Sequence, residues 1–168
     1  MLQDGKLQGG VSMTKGTVLN KSQSPSTDIE IKQMEVVPYI SAIGSIMYVV
    51  LCTRLDVSYA LSMTSHFQHS PSIAHYVAVN NILRYLRRTK DMFLVFRGVE
   101  EELMVRCYTD ASFQSDRDDS LSQSGFVFTL NGGAFCWKSS KQSVVVDSTT
   151  ESKCITTSDA AKESSWMK

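Results

Sequence analysis

The sequence has no excess of charge of either sign. Lys and Arg number 17 and Asp and Glu also 17, so any anionic or cationic partner has to be met by a local patch. A paired-cysteine motif is missing too. Cys52, Cys107, Cys136 and Cys154 form no Cys-x-x-Cys and lie far from His66, His69 and His75 in sequence, which argues against a zinc site. All four sit in apolar or periodic segments, so the expectation is reduced, buried thiols in an intracellular setting. Long hydrophobic runs are absent. The most apolar stretch, Tyr39 to Cys52, is broken by Ser41, Gly44 and Ser45 and falls short of the ~20 residues that span a bilayer. It reads as a buried helix. Met1-Leu2-Gln3-Asp4-Gly5-Lys6 lacks the apolar core of a signal peptide, so neither secretion nor a membrane partner is expected.

Several catalytic signatures are absent as well. There is no Gly-x-Ser-x-Gly and no Gly-rich phosphate loop. Asp116, Asp118 and Asp119 suggest calcium, but a calcium loop opening at Asp116 needs Gly in its sixth place and Glu in its twelfth. Leu121 and Val127 stand there, and the cluster reads as a solvated loop. His66 and His69 are spaced to share a helix face, with no third ligand in register.

What is present is a globular composition, 42% apolar, enough for one domain or pieces of two. Residues 1–37 are poor in large apolar groups and punctuated by Gly9-Gly10 and Ser24-Pro25-Ser26, so they read as a flexible or extended lead-in. From Pro38 to Lys90 the periodicity is helical. Tyr39, Ile43, Ile46, Met47 and Val50 belong to a helix that is apolar on nearly all sides. Tyr59, Ala60, Met63 and Phe67 mark a second helix from about Asp56. After Ser70-Pro71-Ser72, the residues Tyr76, Val79, Ile82, Leu83 and Leu86 mark a third, with Arg84, Arg87, Arg88 and Lys90 at its end. Cations there are favoured by the helix dipole; they also suit a phosphate backbone.

From Asp91 the period changes to two. Met92 to Phe96 is a short strand candidate, and Glu100-Glu101-Glu102 a solvated turn. Leu103, Val105, Cys107 and Thr109 alternate with Met104, Arg106, Tyr108 and Asp110, which is strand periodicity. Asp110 closes that strand. A carboxylate in such a place holds a divalent metal, acts as a general base or caps a turn, and the residues alone leave this open. Gly125 to Leu130 is the next strand. Asn131-Gly132 signals a hairpin, and Ala134 to Lys138, extending toward Val146, is the third strand. Ser148-Thr149-Thr150 caps a last helix, with Ile155, Ala160, Ala161 and Trp166 among its apolar positions.

Several blocks in order carry a resemblance. They are Pro38-Tyr39, Ile43-Gly44-Ser45-Ile46-Met47-Tyr48, Leu51-Cys52-Thr53-Arg54, Asp56-Val57-Ser58-Tyr59-Ala60 and Ile82-Leu83-Arg84-Tyr85-Leu86. Tyr108-Thr109-Asp110, Ser124-Gly125-Phe126-Val127-Phe128, Trp137-Lys138-Ser139-Ser140-Lys141-Gln142-Ser143-Val144 and Ser148-Thr149-Thr150-Glu151 follow. From about residue 20 onward the chain resembles the Pol polyprotein of copia-type LTR retrotransposons, from the end of the reverse transcriptase into the ribonuclease H domain. The resemblance implies an α+β fold. Residues 38–90 would be the helical, thumb- or connection-like end of the reverse transcriptase. Residues 91–168 would be an incomplete ribonuclease H-like domain of three antiparallel strands and its first helix.

The parent activity it implies is hydrolysis of the RNA strand of an RNA–DNA hybrid. Two Mg²⁺ ions about 3.5–4 Å apart would be held by converging carboxylates, with Asp110 matching the bridging ligand. The sequence departs from that pattern. Lys153 stands where the catalytic Glu is expected. Glu151 lies two residues earlier, about 200° away around a helix. Leu55, Tyr76, Asn80 and Leu121 replace a Pro, a Trp, a Lys and an Arg usual in the family. The other metal ligands and two further strands are expected beyond Lys168, and the reverse transcriptase's own aspartates upstream of Met1. The expectation is therefore a retroelement fragment without hydrolytic activity, its Asp110 available to Lys153 as a salt-bridge partner. The alternative is a non-catalytic module that grips nucleic acid through Arg84, Arg87, Arg88, Lys90, Lys138 and Lys141.

Overall fold

A reciprocal capping box opens the first helix, α1 (Asp28–Glu35). Thr27 Oγ1 accepts from the Glu30 amide at 3.3 Å, and the Glu30 carboxylate accepts from the amides of Ser26 and Thr27 at 3.0 and 3.1 Å. These two amides hold the exposed Glu30 carboxyl below its usual range. The expected lead-in over 1–37 is thus corrected at residues 28–35. With Asn20 and Gln23 closing a second box over the 3-10 turn Lys21–Gln23, local polar chemistry builds structure where large apolar residues are few. The computed structural model describes residues 12–13, 17–96, 98 and 103–167. The chain divides into two units, Met1–Phe93 and Leu94–Lys168. The Gly9-Gly10 pair and the Glu100-Glu101-Glu102 turn lie outside the described residues.

In the first unit, α2 (Tyr39–Cys52) buries Tyr39, Ile43, Ile46 and Val50. A 3-10 turn (Leu55–Val57) leads into α3 (Ser58–Ser65), and α4 (Ile73–Arg88) follows. The core joins those four residues to Val57, Ala60, Leu61, Val79 and Ile82. Leu19, Phe67 and Ala78 make a satellite cluster. The expected buried helix does pack against several neighbours, α3, α4 and the 3-10 turn between, but among the described residues it does so through one stripe and is not buried all round. Ile40, Tyr48 and Leu51 are 64%, 73% and 70% exposed. α3 is shorter than its pattern and ends at Ser65, so His66 and His69 lie beyond it. Among the described residues no single helix is long and apolar enough to cross a membrane. α1 and α2 together pass by length and composition, but they bend by 49° at their break.

The second unit is a three-stranded antiparallel sheet with one helix. The strands are β1 (Val105–Ser112), β2 (Gln123–Leu130) and β3 (Gly133–Lys141), in the order β1-β2-β3, and the helix is α5 (Thr149–Ser165). Asn131 and Gly132 have φ of 47° and 85°, the left-handed pair that a two-residue hairpin requires. Met92–Phe96 is not a strand. Phe93, Val95 and Phe96 are exposed, and the Phe96 ring lies where a side chain at Gly133 would stand. Phe126, Phe128 and Ala160 form the core of the unit, with Cys136 packed beside it. The described residues thus form an α+β chain of five helices and one antiparallel sheet.

α5 corrects a second expectation. Its buried stripe is Ser152, Thr156 and Ala160, while Ala161 and Trp166 are exposed. Of the two hydroxyls on this stripe, that of Thr156 has partners, while that of Ser152 is buried without one among the described residues. Thr156 Oγ1 lies 2.7 Å from Ser124 Oγ and donates to the Ser152 carbonyl at 3.0 Å. Gln142 Nε2 donates to Ser124 Oγ at 2.8 Å and to the Ser152 carbonyl at 2.9 Å. The thiols differ from expectation as well. Cys52, Cys107 and Cys154 are exposed and Cys136 half-buried beside the core, all unpaired with one another.

Candidate functional site

β1 brings Asp110 opposite Gly125 and Thr109 opposite Phe126. Side chains alternate along a strand, so Asp110 stands on the face away from Phe126, Phe128 and α5. Glu151 stands in the first turn of α5. The two carboxylates therefore start from opposite sides of the sheet, and each is engaged locally. Asp110 Oδ1 accepts from the Ala111 amide at 2.9 Å. Glu151 Oε2 accepts from the Asp147 amide at 3.2 Å, while its own amide donates to Ser148 Oγ at 3.1 Å. Lys153 is exposed. Among the described residues no ion pair joins it to Asp110, which corrects that expectation. Among the described residues no group of three or more His, Cys, Asp or Glu is placed to hold a metal.

The basic residues divide. Arg84, Arg87 and Arg88 are exposed at spacings that put them on one face of α4, with Lys90 exposed just past its end. None of them has an ion-pair partner among the described residues. Lys138 is also exposed. Lys141 is not available to a nucleic acid, which corrects its place in the set. Its ammonium lies 2.7 Å from Asp116 and 2.6 Å from Asp119, with only 16% of the side chain exposed. Burial pulls this ammonium down, but the two carboxylates outweigh it and hold it above the ordinary lysine range. The aspartate loop, expected to be solvated, is stapled to the end of β3.

Two constellations escaped the sequence reading. Arg54, buried at the 3-10 turn, holds Asp56 bidentately and reaches the Thr89 carbonyl at 3.1 Å and its hydroxyl at 2.5 Å. The Tyr85 hydroxyl donates to Asp56 at 2.8 Å, and the guanidinium lies 5.5 Å from the Tyr85 ring centre. The turn before α3 is thereby locked to the C-terminal end of α4, the same helix end that carries Arg84, Arg87 and Arg88. Arg54 and Asp56 lie in the matching blocks, and their i, i+2 opposite charges were the available signal. His75 is the other case. It is buried and stacked on Phe67 with ring centres 3.9 Å apart. Its Nδ1 accepts from the Ser72 amide at 3.1 Å, and its Nε2 lies 3.2 Å from the Asn20 carbonyl. An amide only donates and a carbonyl only accepts, so the ring is neutral with its hydrogen on Nε2.

Comparison with known proteins decides the family. The retrovirus-related Pol polyprotein from transposon TNT 1-94 of Nicotiana tabacum is 41% identical over 150 residues, 89% of this chain and 11% of that polyprotein. The Pol polyprotein from transposon RE1 of Arabidopsis thaliana is 34% identical over 129 residues, 77% of this chain and 9% of that polyprotein. The chain belongs to the Pol polyproteins of copia-type retrotransposons. It matches about a tenth of the length of these Pol relatives. A short relative shares the same segment: the secreted RxLR effector protein 161 of Plasmopara viticola, 38% identical over 134 residues, 80% of this chain and 94% of the effector. No family model matches the chain, and no solved structure does.

Proposed function

We propose that the chain carries the junction of a copia-type Pol: the helical end of the reverse transcriptase in residues 38–90 and the opening of a ribonuclease H-like domain in residues 91–168. In the parent polyprotein the second part would contribute Asp110 to hydrolysis of RNA in RNA–DNA hybrids. The 168 residues alone hydrolyse nothing on this reading. The observation that carries it is the separation of Asp110 from Glu151 across the sheet, each spent on a neighbouring backbone amide. These residues do not fit a two-Mg²⁺ centre, which needs several carboxylates converging on one point. Lys153 stands two residues after Glu151, on another face of the same helix, and brings a cation where a carboxylate is needed. The unpaired thiols suit a reducing, intracellular compartment. The test is a labelled RNA–DNA hybrid incubated with the purified chain in Mg²⁺. No cleavage is expected; cleavage that disappears in Asp110→Asn would overturn the reading.

A second reading, nucleic-acid binding without chemistry, is favoured by the exposed cations Arg84, Arg87, Arg88 and Lys90 and by their freedom from acidic partners among the described residues. Bound phosphate would displace counterions from these groups, so affinity should fall steeply with salt. A hybrid that binds equally at 50 and 200 mM salt, within about twofold, removes this reading.

A further inference from the structure

Among the described residues β1 is an edge strand, and its one protecting feature is the pair of charges Arg106 and Asp110. Its sequence, VRCYTDAS, contains no proline and no lysine. The irregularity of the sheet lies between β2 and β3, at Phe128/Thr129, and not in β1. The orientation of its backbone groups can be read from its start. The Met104 carbonyl accepts from the Asn131 amide at 3.2 Å, and the Met104 amide donates to Asn131 Oδ1 at 3.0 Å. Both groups of Met104 therefore point toward β2. Alternation along an antiparallel ladder then aims those of Arg106, Tyr108 and Asp110 toward β2 as well. The amides and carbonyls of Val105, Cys107, Thr109 and Ala111 point off the free edge. The Ala111 amide is met there by its neighbour's carboxylate, Asp110 Oδ1.

We propose that this edge pairs antiparallel with β1 of a second copy of the chain, about a twofold axis at Tyr108, to make one continuous six-stranded sheet. The ladder permits only registers that set outward-pointing residues opposite each other. With the axis at Tyr108, Cys107 meets Thr109 and Val105 meets Ala111, so all the outward groups from Val105 to Ala111 find partners. In that register Arg106 of each copy lies directly opposite Asp110 of the other. These are pairs without mutual backbone bonds, where side chains come closest. Moving the axis to Cys107 or Thr109 leaves both charges facing neutral residues. The charge pattern of β1 is thus self-complementary in one register, which selects a second copy over an unrelated strand. Pairing also covers Val105 and Tyr108, now 57% and 58% exposed. It gives the Ala111 amide a carbonyl partner and releases Asp110 to face Arg106.

Sedimentation equilibrium on the 168-residue chain tests the proposal. A shift from 18.7 kDa to twice that mass is expected as concentration rises. Arg106→Glu should weaken the dimer at least about tenfold, since two pairs turn repulsive. Arg106→Glu combined with Asp110→Arg restores opposite charges and should return the affinity to within about threefold. A swapped double variant as weak as the single one overturns the register. A wild-type mass of one chain at every concentration overturns the dimer, as does an indefinite series of higher species. Amide exchange on the wild type decides the matter without any variant: Cys107 and Thr109 should gain protection as concentration rises, and unchanged exchange there overturns the proposal.

Discussion

The Arg54 guanidinium holds the Asp56 carboxylate with two parallel hydrogen bonds, Nε to Oδ1 at 3.0 Å and Nη2 to Oδ2 at 2.8 Å. Burial pushes the Asp56 carboxyl up, but the bonds from Arg54 and Tyr85 and the Arg54 charge outweigh it and leave it below the usual range. A depressed carboxyl stabilises the fold above its unfolded pKa, and that stability is lost as pH falls through the folded value. The acid limb of the stability profile, below about pH 4, should therefore flatten in Asp56→Asn. Removing the carboxylate with Asp56→Ala leaves a buried guanidinium and should cost about 2–3 kcal/mol in urea unfolding. An equal acid limb in wild type and Asp56→Asn would show that the pair does not govern it.

Lys141→Met should release the aspartate loop from β3. Amide exchange over residues 113–122 is expected to speed up, and the unit to lose about 1–2 kcal/mol, since Asp116 is left with 12% of its side chain exposed. The raised Lys141 ammonium stabilises fully below its unfolded pKa, so the contribution holds at neutrality and fades above about pH 10. Hybrid binding should be untouched by this change, because the ammonium is already occupied.

His75→Phe keeps a ring to stack on Phe67 but removes both ring nitrogens. The Ser72 amide and the Asn20 carbonyl then lose a buried partner, at about 1–3 kcal/mol each. The 3-10 turn Lys21–Gln23 should loosen together with the start of α4, seen as linked loss of exchange protection at both.

Charge removal on α4 should act through phosphate. Replacing Arg84, Arg87 and Arg88 with Ala should lower the slope of log affinity against log salt by about 0.7–0.9 for each phosphate left unneutralised. Stability should stay within about 0.5 kcal/mol, because all three are exposed surface positions. A slope equal to that of the wild type would place binding elsewhere.

Legibility in the sequence followed the chemistry of each buried face. The cores of α2 and α4 were readable because Ile43, Ile46, Val79 and Ile82 repeat at helical spacing, and the hairpin because Asn131-Gly132 tolerates the left-handed backbone. α1 was missed because its capping box is polar and its one buried residue is Met34. α5 was misread in its facing. Trp166 and Ala161 look like core and are not, while Ser152 and Thr156 look like surface and are buried, the Thr156 hydroxyl and the Ser152 carbonyl meeting polar partners. At the candidate site, Asp110 and the arginines of α4 were visible as residue types. Their distances from partners were not, since which face of a sheet a carboxylate takes depends on pairing with residues far along the chain. Lys141 reads as a nucleic-acid contact for the same reason: nothing local announces that Asp116 and Asp119 fold back onto it.

The hydroxyl stripe of α5 has a thermal consequence. Undocking that helix uncovers Ser152, Thr156 and Gln142 along with Ala160 and two phenylalanines, a mixture of polar and apolar surface whose heat-capacity effects oppose each other. The first unit would uncover nine apolar side chains instead. The sheet unit should therefore unfold with the smaller heat-capacity increment per residue, and its stability should vary less between cold and warm than that of the helical unit.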